Sequence, residues 1–286
     1  MSDRGILSSL RYLLADVIGD DDAPTPLLPE GLPEAVVPVA SDAIHVLVDY
    51  QGTSYAQLYV DRLKRFVGRR GFDDAVFAEV ARLMAARMSY EDPIRIAQLT
   101  LATFENSPPI NEVRKFRIDE LVGALPAIVA EPVLDTLEWL GWLRLPVSIR
   151  FSTASRWGIR RLKIEAGLRR WRLFSVRYPK ERAWVERWLH MIDRSLTKQP
   201  AAAPAIVQTA DMITGYGDSY RQGLADWSAI IDGLAKPTFD GVLDLADLAN
   251  AVTEARAAVL PDPRQVALKR KIAEIRARVS AEPNAA

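Results

Sequence analysis

A chain of 286 residues with 37 Lys/Arg, 37 Asp/Glu and a formal net charge of zero is long enough to bury a sizeable core. Its 49% apolar and 26% charged content is that of an ordinary globular protein. Without a single cysteine the chain builds no disulfide, iron–sulfur cluster or thiolate zinc site of its own. Its two histidines, His45 and His190, lie far apart, and no segment reaches the roughly 20 continuous apolar residues that span a bilayer.

Leu7, Leu10, Leu13, Leu14 and Ile18 fall at helical spacing, so residues 5–18 are expected to form a short amphipathic helix. Its interruption by Arg11 and Asp16 argues against a signal peptide, and the cytoplasm is the expected location. The acidic stretch that follows carries prolines at 24, 26, 29, 33 and 38, which forbid a continuous helix and predict a linker or strap.

Ser41 and Asp42 are placed to cap a helix starting near Ala43, bent or broken at Gly52. Asp73 or Asp74 opens the next helix, Pro93 forces a boundary, and "NSPPIN" reads as a loop. Residues 112–143 predict more helix, interrupted at Pro126 and Pro132. "RLPVSIRF", residues 144–151, alternates apolar and polar and is the one expected strand. Residues 155–175 predict a helix with arginines on more than one face. The next helix takes Pro179 in its first turn, with Glu181 near the positive end of its dipole. "TKQPAAAPA" reads as a linker, and helices are expected to end at Gly215 and near Lys236. "LDLADLANAVTEARAAVL" and "RQVALKRKIAEIRARV" complete a helical tail divided by "PDP". The expected class is mainly α, an irregular bundle of about ten helices with at most a minor strand pair. The expected organisation is a helix and strap over 1–40, a helical domain over 41–200 and a C-terminal helical segment over 201–286.

"GYGDSYRQGL", residues 215–224, has the look of a ligand loop but fits none. A dinucleotide fingerprint needs a third glycine where Tyr220 stands, and a P-loop needs Gly-Lys-Ser/Thr where Gly223-Leu224 stand. A helix corner is the simpler reading, with Gly215 ending one helix and Asp218 capping the next. In "MSYEDP" the adjacent Glu91 and Asp92 do not face each other as an acid/base pair. Asp92 instead precedes Pro93 as a helix cap. Tyr55 and Tyr59, four residues apart, share a helix face. They fit core packing, or, with Tyr216, Tyr220 and Arg221, contacts to a ligand or interface. No residue pattern assigns a catalytic or metal-binding role.

Charge is unevenly spread. From Arg144 to Arg187 there are 13 Lys/Arg against 3 Asp/Glu, a net of +10 in a neutral chain. Trp157, Trp171, Trp184 and Trp188 are interleaved with these cations. Arg156, Arg160, Arg161, Lys163, Arg169 and Arg170 are therefore candidates for docking an anion or an acidic partner. Internal pairing with the acidic remainder is the alternative, and nucleic-acid binding a further one.

Four stretches, "LVDYQGTSYAQLYVDRL", "ARLMAARMSYEDPIRIAQLTLA", "LRRWRLFSVRYPKERAWVERWL" and "DMITGYGDSYRQGLADWSAIIDGL", occur in one order over roughly residues 44–260. Together they resemble the C-terminal helical region, of undefined function, of the β subunit of indolepyruvate ferredoxin oxidoreductase-like proteins. The resemblance implies an assembly that decarboxylates 2-oxoacids on thiamine diphosphate and magnesium. It then passes electrons through iron–sulfur clusters to ferredoxin and forms an acyl-CoA. In that family an α/β domain precedes the helical region; here about 40 residues with the acidic, proline-rich segment stand in its place. The Gly-Asp-Gly of the thiamine motif is absent, its nearest match Gly217-Asp218 continuing with Ser219. The resemblance therefore implies a non-catalytic helical subunit. Thiamine diphosphate, magnesium and clusters would sit in partner subunits, with ferredoxin or coenzyme A as further partners. A stand-alone anion- or nucleic-acid-binding protein using the basic 144–187 region is the competing expectation.

Overall fold

The computed structural model describes residues 24–69, 72–104, 108–125 and 127–281. The amphipathic helix expected over 5–18 lies outside them. The fold is mainly α with one two-stranded antiparallel sheet. In chain order the α elements are α1 (Val37–Tyr50), α2 (Thr53–Leu63), α3 (Asp74–Met88) and α4 (Pro93–Phe104). Strand β1 (Asn111–Arg117), helices α5 (Ile118–Gly123) and α6 (Ala127–Trp139) and strand β2 (Pro146–Ser152) follow. Next come α7 (Arg156–Gly167), a 3-10 segment (Leu168–Phe174), α8 (Arg177–Lys198) and α9 (Ala203–Gln208). The chain ends with α10 (Gly217–Ile230), a π segment (Ile231–Ala235), α11 (Lys236–Phe239), α12 (Leu248–Ala257) and α13 (Val266–Ala281).

The described residues divide into two compact units that are interleaved in sequence. The first holds residues 24–30, 38–65 and 84–183; the second holds 31–37, 66–83 and 184–281. The division does not follow a linear boundary near residue 200, because residues 66–83 group with the C-terminal part of the chain.

In the first unit, helix α1 begins at Val37, ahead of the expected start near Ala43. Pro38 occupies its first turn, where a missing N–H costs nothing. The break after α1 is where glycine predicts it: Gly52 has φ 140°, a conformation L side chains rarely adopt. Residues 112–117, expected as helix, instead join Asn111 in β1, which pairs with β2 from Asn111–Ser152 to Arg117–Pro146. The ladder supplies the backbone partners that a lone strand lacks. Phe116 and Phe151, both buried, meet edge to face at 6.2 Å. Helices α5 and α6 fill the connection between the strands. Helix α6 runs through Pro132 instead of stopping there, and its surface is largely exposed. The arginine-rich segment splits into α7, capped by Ser155 through a 3.0 Å bond from the Gly158 amide, and the 3-10 turns. Helix α4 packs on α7.

In the second unit, Phe66, Phe72 and Phe77 form an aromatic trio with centroids 5.2 to 6.2 Å apart. Its core also holds Trp188, Ile192, Ile206, Trp227, Ile230, Leu234 and Val252. The alanine-rich stretch expected as a linker is mostly helical. Pro200 and Pro204 each sit in the first turn of a helical segment, where they start helices instead of breaking them. The helix expected to end at Gly215 stops in a 3-10 turn at Met212. Gly215 and Gly217, with φ of 68° and 70°, form the corner. Asp218 does not cap α10: its carboxylate takes a 2.8 Å bond from Arg221. Farther on, Pro237 deprives the Gly233 carbonyl of its usual helical donor, and Arg276 on α13 donates to that carbonyl at 2.9 Å.

Candidate functional site

Three separate stretches of the first unit converge on one buried polar cluster. The break between α1 and α2 places Tyr50 at the end of one helix and Tyr55 in the first turn of the next. The α3–α4 corner brings Tyr90, Glu91 and Asp92; the 3-10 segment brings Arg172, and the start of α8 brings Arg177, Tyr178 and Glu181. Arg172 is the centre. Its Nε donates to Asp92 Oδ2 at 2.6 Å and its Nη2 to Oδ1 at 2.9 Å. Nη1 donates to the Tyr50 carbonyl at 2.5 Å, and the guanidinium lies 3.9 Å from the centre of the Tyr50 ring. Asp92 also accepts from the Arg95 amide at 2.6 Å, so one carboxylate both caps α4 and neutralises Arg172.

A second ionic group lies beside it. Glu181 accepts from Arg87 at 2.8 Å and from Arg177 at 2.9 Å. Arg177 also donates to the Glu91 carbonyl at 2.9 Å and lies 4.5 Å over the Tyr90 ring. The tyrosines weave between these pairs: Tyr55 donates to the Met88 carbonyl at 2.9 Å and Tyr50 to the Tyr90 carbonyl at 3.3 Å. Tyr55 and Tyr178 rings meet at 6.0 Å.

The electrostatics follow from burial. Desolvation pushes the hydroxyls of Tyr50, Tyr55, Tyr59 and Tyr90 well above the ordinary phenol range. Burial works against the Arg172 charge, but Tyr50 and Asp92 hold its pKa above the ordinary value. The phenols are thus neutral at physiological pH, and the carboxylates are matched to guanidinium groups. This chemistry locks backbone segments together. Among the described residues no group of three or more His, Cys, Asp or Glu is placed to hold a metal ion, and no helix is long and apolar enough to cross a membrane.

Of the residues singled out in the sequence, Tyr55 and Tyr59 are buried in the first unit. Tyr216, Tyr220 and Arg221 are half-buried at the α10 corner of the second; these two groups belong to different units. Arg156, Arg160 and Lys163 are exposed on α7 and make no ion pair among the described residues. Arg161 pairs with Glu165 at 2.6 Å. Arg169 and Arg170 are half-buried, each with an interaction of its own. Glu181, expected to act on the helix dipole of α8, is buried between two arginines instead. Sequence reading missed Arg172, Arg177 and Arg87 as network members. The available signal was an arginine in "WRLF" flanked by apolar residues, which at 3-10 spacing turns inward.

Residues 36–233 match the model of a family of unknown function, DUF6537. The chain belongs to this family. The whole of the Arg172 cluster falls inside the matched region, as do Trp184, Thr209 and Trp227 of the second unit. No curated protein and no solved structure matches the chain.

Proposed function

We propose that this chain is a non-catalytic helical module of a 2-oxoacid:ferredoxin oxidoreductase-like assembly, contributing to assembly, active-site covering or partner docking. The observation that carries this reading is the convergence of three of the four resembling stretches on the Arg172–Asp92 cluster. There Tyr50, Tyr55, Arg87, Tyr90, Asp92, Arg172, Tyr178 and Glu181 are buried against one another. That use suits a framework better than a reaction centre. The chain has no cysteine to ligate a cluster, and among the described residues no group of three or more His, Cys, Asp or Glu is placed to hold a metal ion. In this reading thiamine diphosphate, magnesium and the clusters belong to partner chains, and ferredoxin and coenzyme A are met by the complete assembly in the cytoplasm.

The test is affinity purification of the tagged chain from its native host, followed by cofactor analysis of what accompanies it. The expected result is co-purification with polypeptides that carry thiamine diphosphate and iron–sulfur clusters, in an assembly that oxidises arylpyruvate. A chain recovered without such partners, or one that turns over a 2-oxoacid alone, overturns the reading.

A further inference from the structure

Two exposed helix faces of the first unit carry opposite charge on the same residue spacing. On α6, Ile128, Glu131, Asp135 and Trp139 recur at steps of three, four and four, with Glu138 alongside. On α7 and its 3-10 extension, Trp157, Arg160, Ile164 and Leu168 recur at the same steps, with Arg156 and Lys163 alongside and Trp171 three residues on. Such steps keep side chains on one face of a helix. The apolar members stand in solvent: Ile128 and Trp139 are each 85% exposed and Trp157 75%. Ile164, Leu168 and Trp171 are exposed with them. The three acids of α6 and the three cations of α7 are exposed and make no ion pair among the described residues.

Scattered single apolar residues at a surface need no explanation, but rows of large ones flanked by unpaired charge mark a surface built for a partner. Each of these rows lacks what the other supplies. The acids of α6 lie beside an isoleucine and a tryptophan; the cations of α7 lie beside tryptophans, an isoleucine and a leucine. Within one chain both faces are left in solvent, so they do not serve each other there.

We propose that the chain self-associates through a two-fold interface, in which the acidic face of α6 seats on the basic aromatic face of α7 in a second copy, and the reverse. A two-fold operator makes this contact twice, so the interface is isologous and leaves neither face uncovered. Charge sets the register and the on-rate, while the tryptophans supply the buried area. The inference is independent of the proposed place in an oxidoreductase assembly, since it concerns the purified chain alone.

The experiment measures the mass of the full chain by light scattering across the micromolar range, with two charge-reversed variants. One carries Glu131→Lys, Asp135→Lys and Glu138→Lys; the other carries Arg156→Glu, Arg160→Glu and Lys163→Glu. The wild-type chain is expected to be a dimer, and each variant a monomer with Kd raised at least about tenfold. An equimolar mixture of the two variants is expected to restore the dimer, because each then offers the charge the other needs. Circular dichroism checks folding. Should either triple variant fail to fold, Trp139→Ser and Trp157→Ser replace it and must each weaken the dimer. A wild-type monomer throughout, a dimer unaffected by either reversal, or variants that do not pair on mixing overturns the proposal. So does a monomer whose α7 cations bind an oligonucleotide in a salt-dependent way.

Discussion

Arg172 reaches Asp92, 80 residues earlier in the chain, through two parallel hydrogen bonds of 2.6 and 2.9 Å, and both side chains are buried. The pair ties the 3-10 segment to the N-terminus of α4 and, through the Tyr50 carbonyl, to the end of α1. Breaking one partner strands the other's charge. Arg172→Met is therefore expected to cost about 3–5 kcal/mol. Asp92→Asn keeps an oxygen for the Arg95 amide but leaves Arg172 without a counter-charge. The double variant should cost less than the sum of the two singles, because no unpaired charge remains. Urea denaturation of all four proteins measures this coupling, and simple additivity would contradict the assignment.

Alkaline stability should follow the tyrosines. The folded-state pKa values of Tyr50, Tyr55, Tyr59 and Tyr90 are raised by burial above the ordinary phenol value of 10.0. In the unfolded chain these groups ionise near pH 10; in the folded chain they hold their protons. Their contribution is therefore fully present below about pH 10 and is lost as pH rises above it, by up to about 1.4 kcal/mol per pH unit for each phenol. Ultraviolet titration is expected to show Tyr50, Tyr55, Tyr59 and Tyr90 ionising only as the circular dichroism signal collapses. Smooth ionisation of all eight tyrosines in a folded protein would be inconsistent with this.

In the second unit the Trp227 indole donates to the Thr209 hydroxyl at 3.0 Å, and its ring meets Trp184 edge-on at 5.0 Å. Thr209→Val keeps the shape and removes the acceptor. The expected loss is about 1–3 kcal/mol, the cost of a buried donor left unmade. Thr209→Ser, which keeps the hydroxyl, should recover most of it. Equal losses in both variants would assign the effect to packing.

Glycine substitutions separate close approach from mere helix content. A Cβ on Gly223 would stand 2.2 Å from the Met212 carbonyl oxygen, and the surrounding atoms are backbone. Gly167 has helical dihedrals and nothing within 4 Å. Gly223→Ala is expected to destabilise by about 3 kcal/mol or more, as overpacking against fixed backbone does. Gly167→Ala should be neutral or stabilising by up to about 1 kcal/mol. Thermal melts of the two variants decide it. In "GYGDSYRQGL" the third glycine is thus the packing position, and the first two make the corner.

Local signals in the chain were enough for much of the helix map. Asp92 before Pro93 reads as a cap and is one, Gly52 divides α1 from α2, and Asp73 accepts from the first amides of α3. Where local reading failed, a distant partner had intervened. Residues 111–117 became a strand only because β2 stands ready to pair with them.

The amino-acid sequence by itself determined the helical class, several helix boundaries, the lack of thiolate chemistry and the concentration of cations between Arg144 and Arg187. These are properties of neighbours in the chain: propensity, capping, turn geometry and composition. Only the tertiary structure decided that Arg172 is an internal clamp while Arg156, Arg160 and Lys163 face solvent. Charge at a position is written in the sequence; whether that charge meets a carboxylate or water depends on which distant segment folding brings beside it.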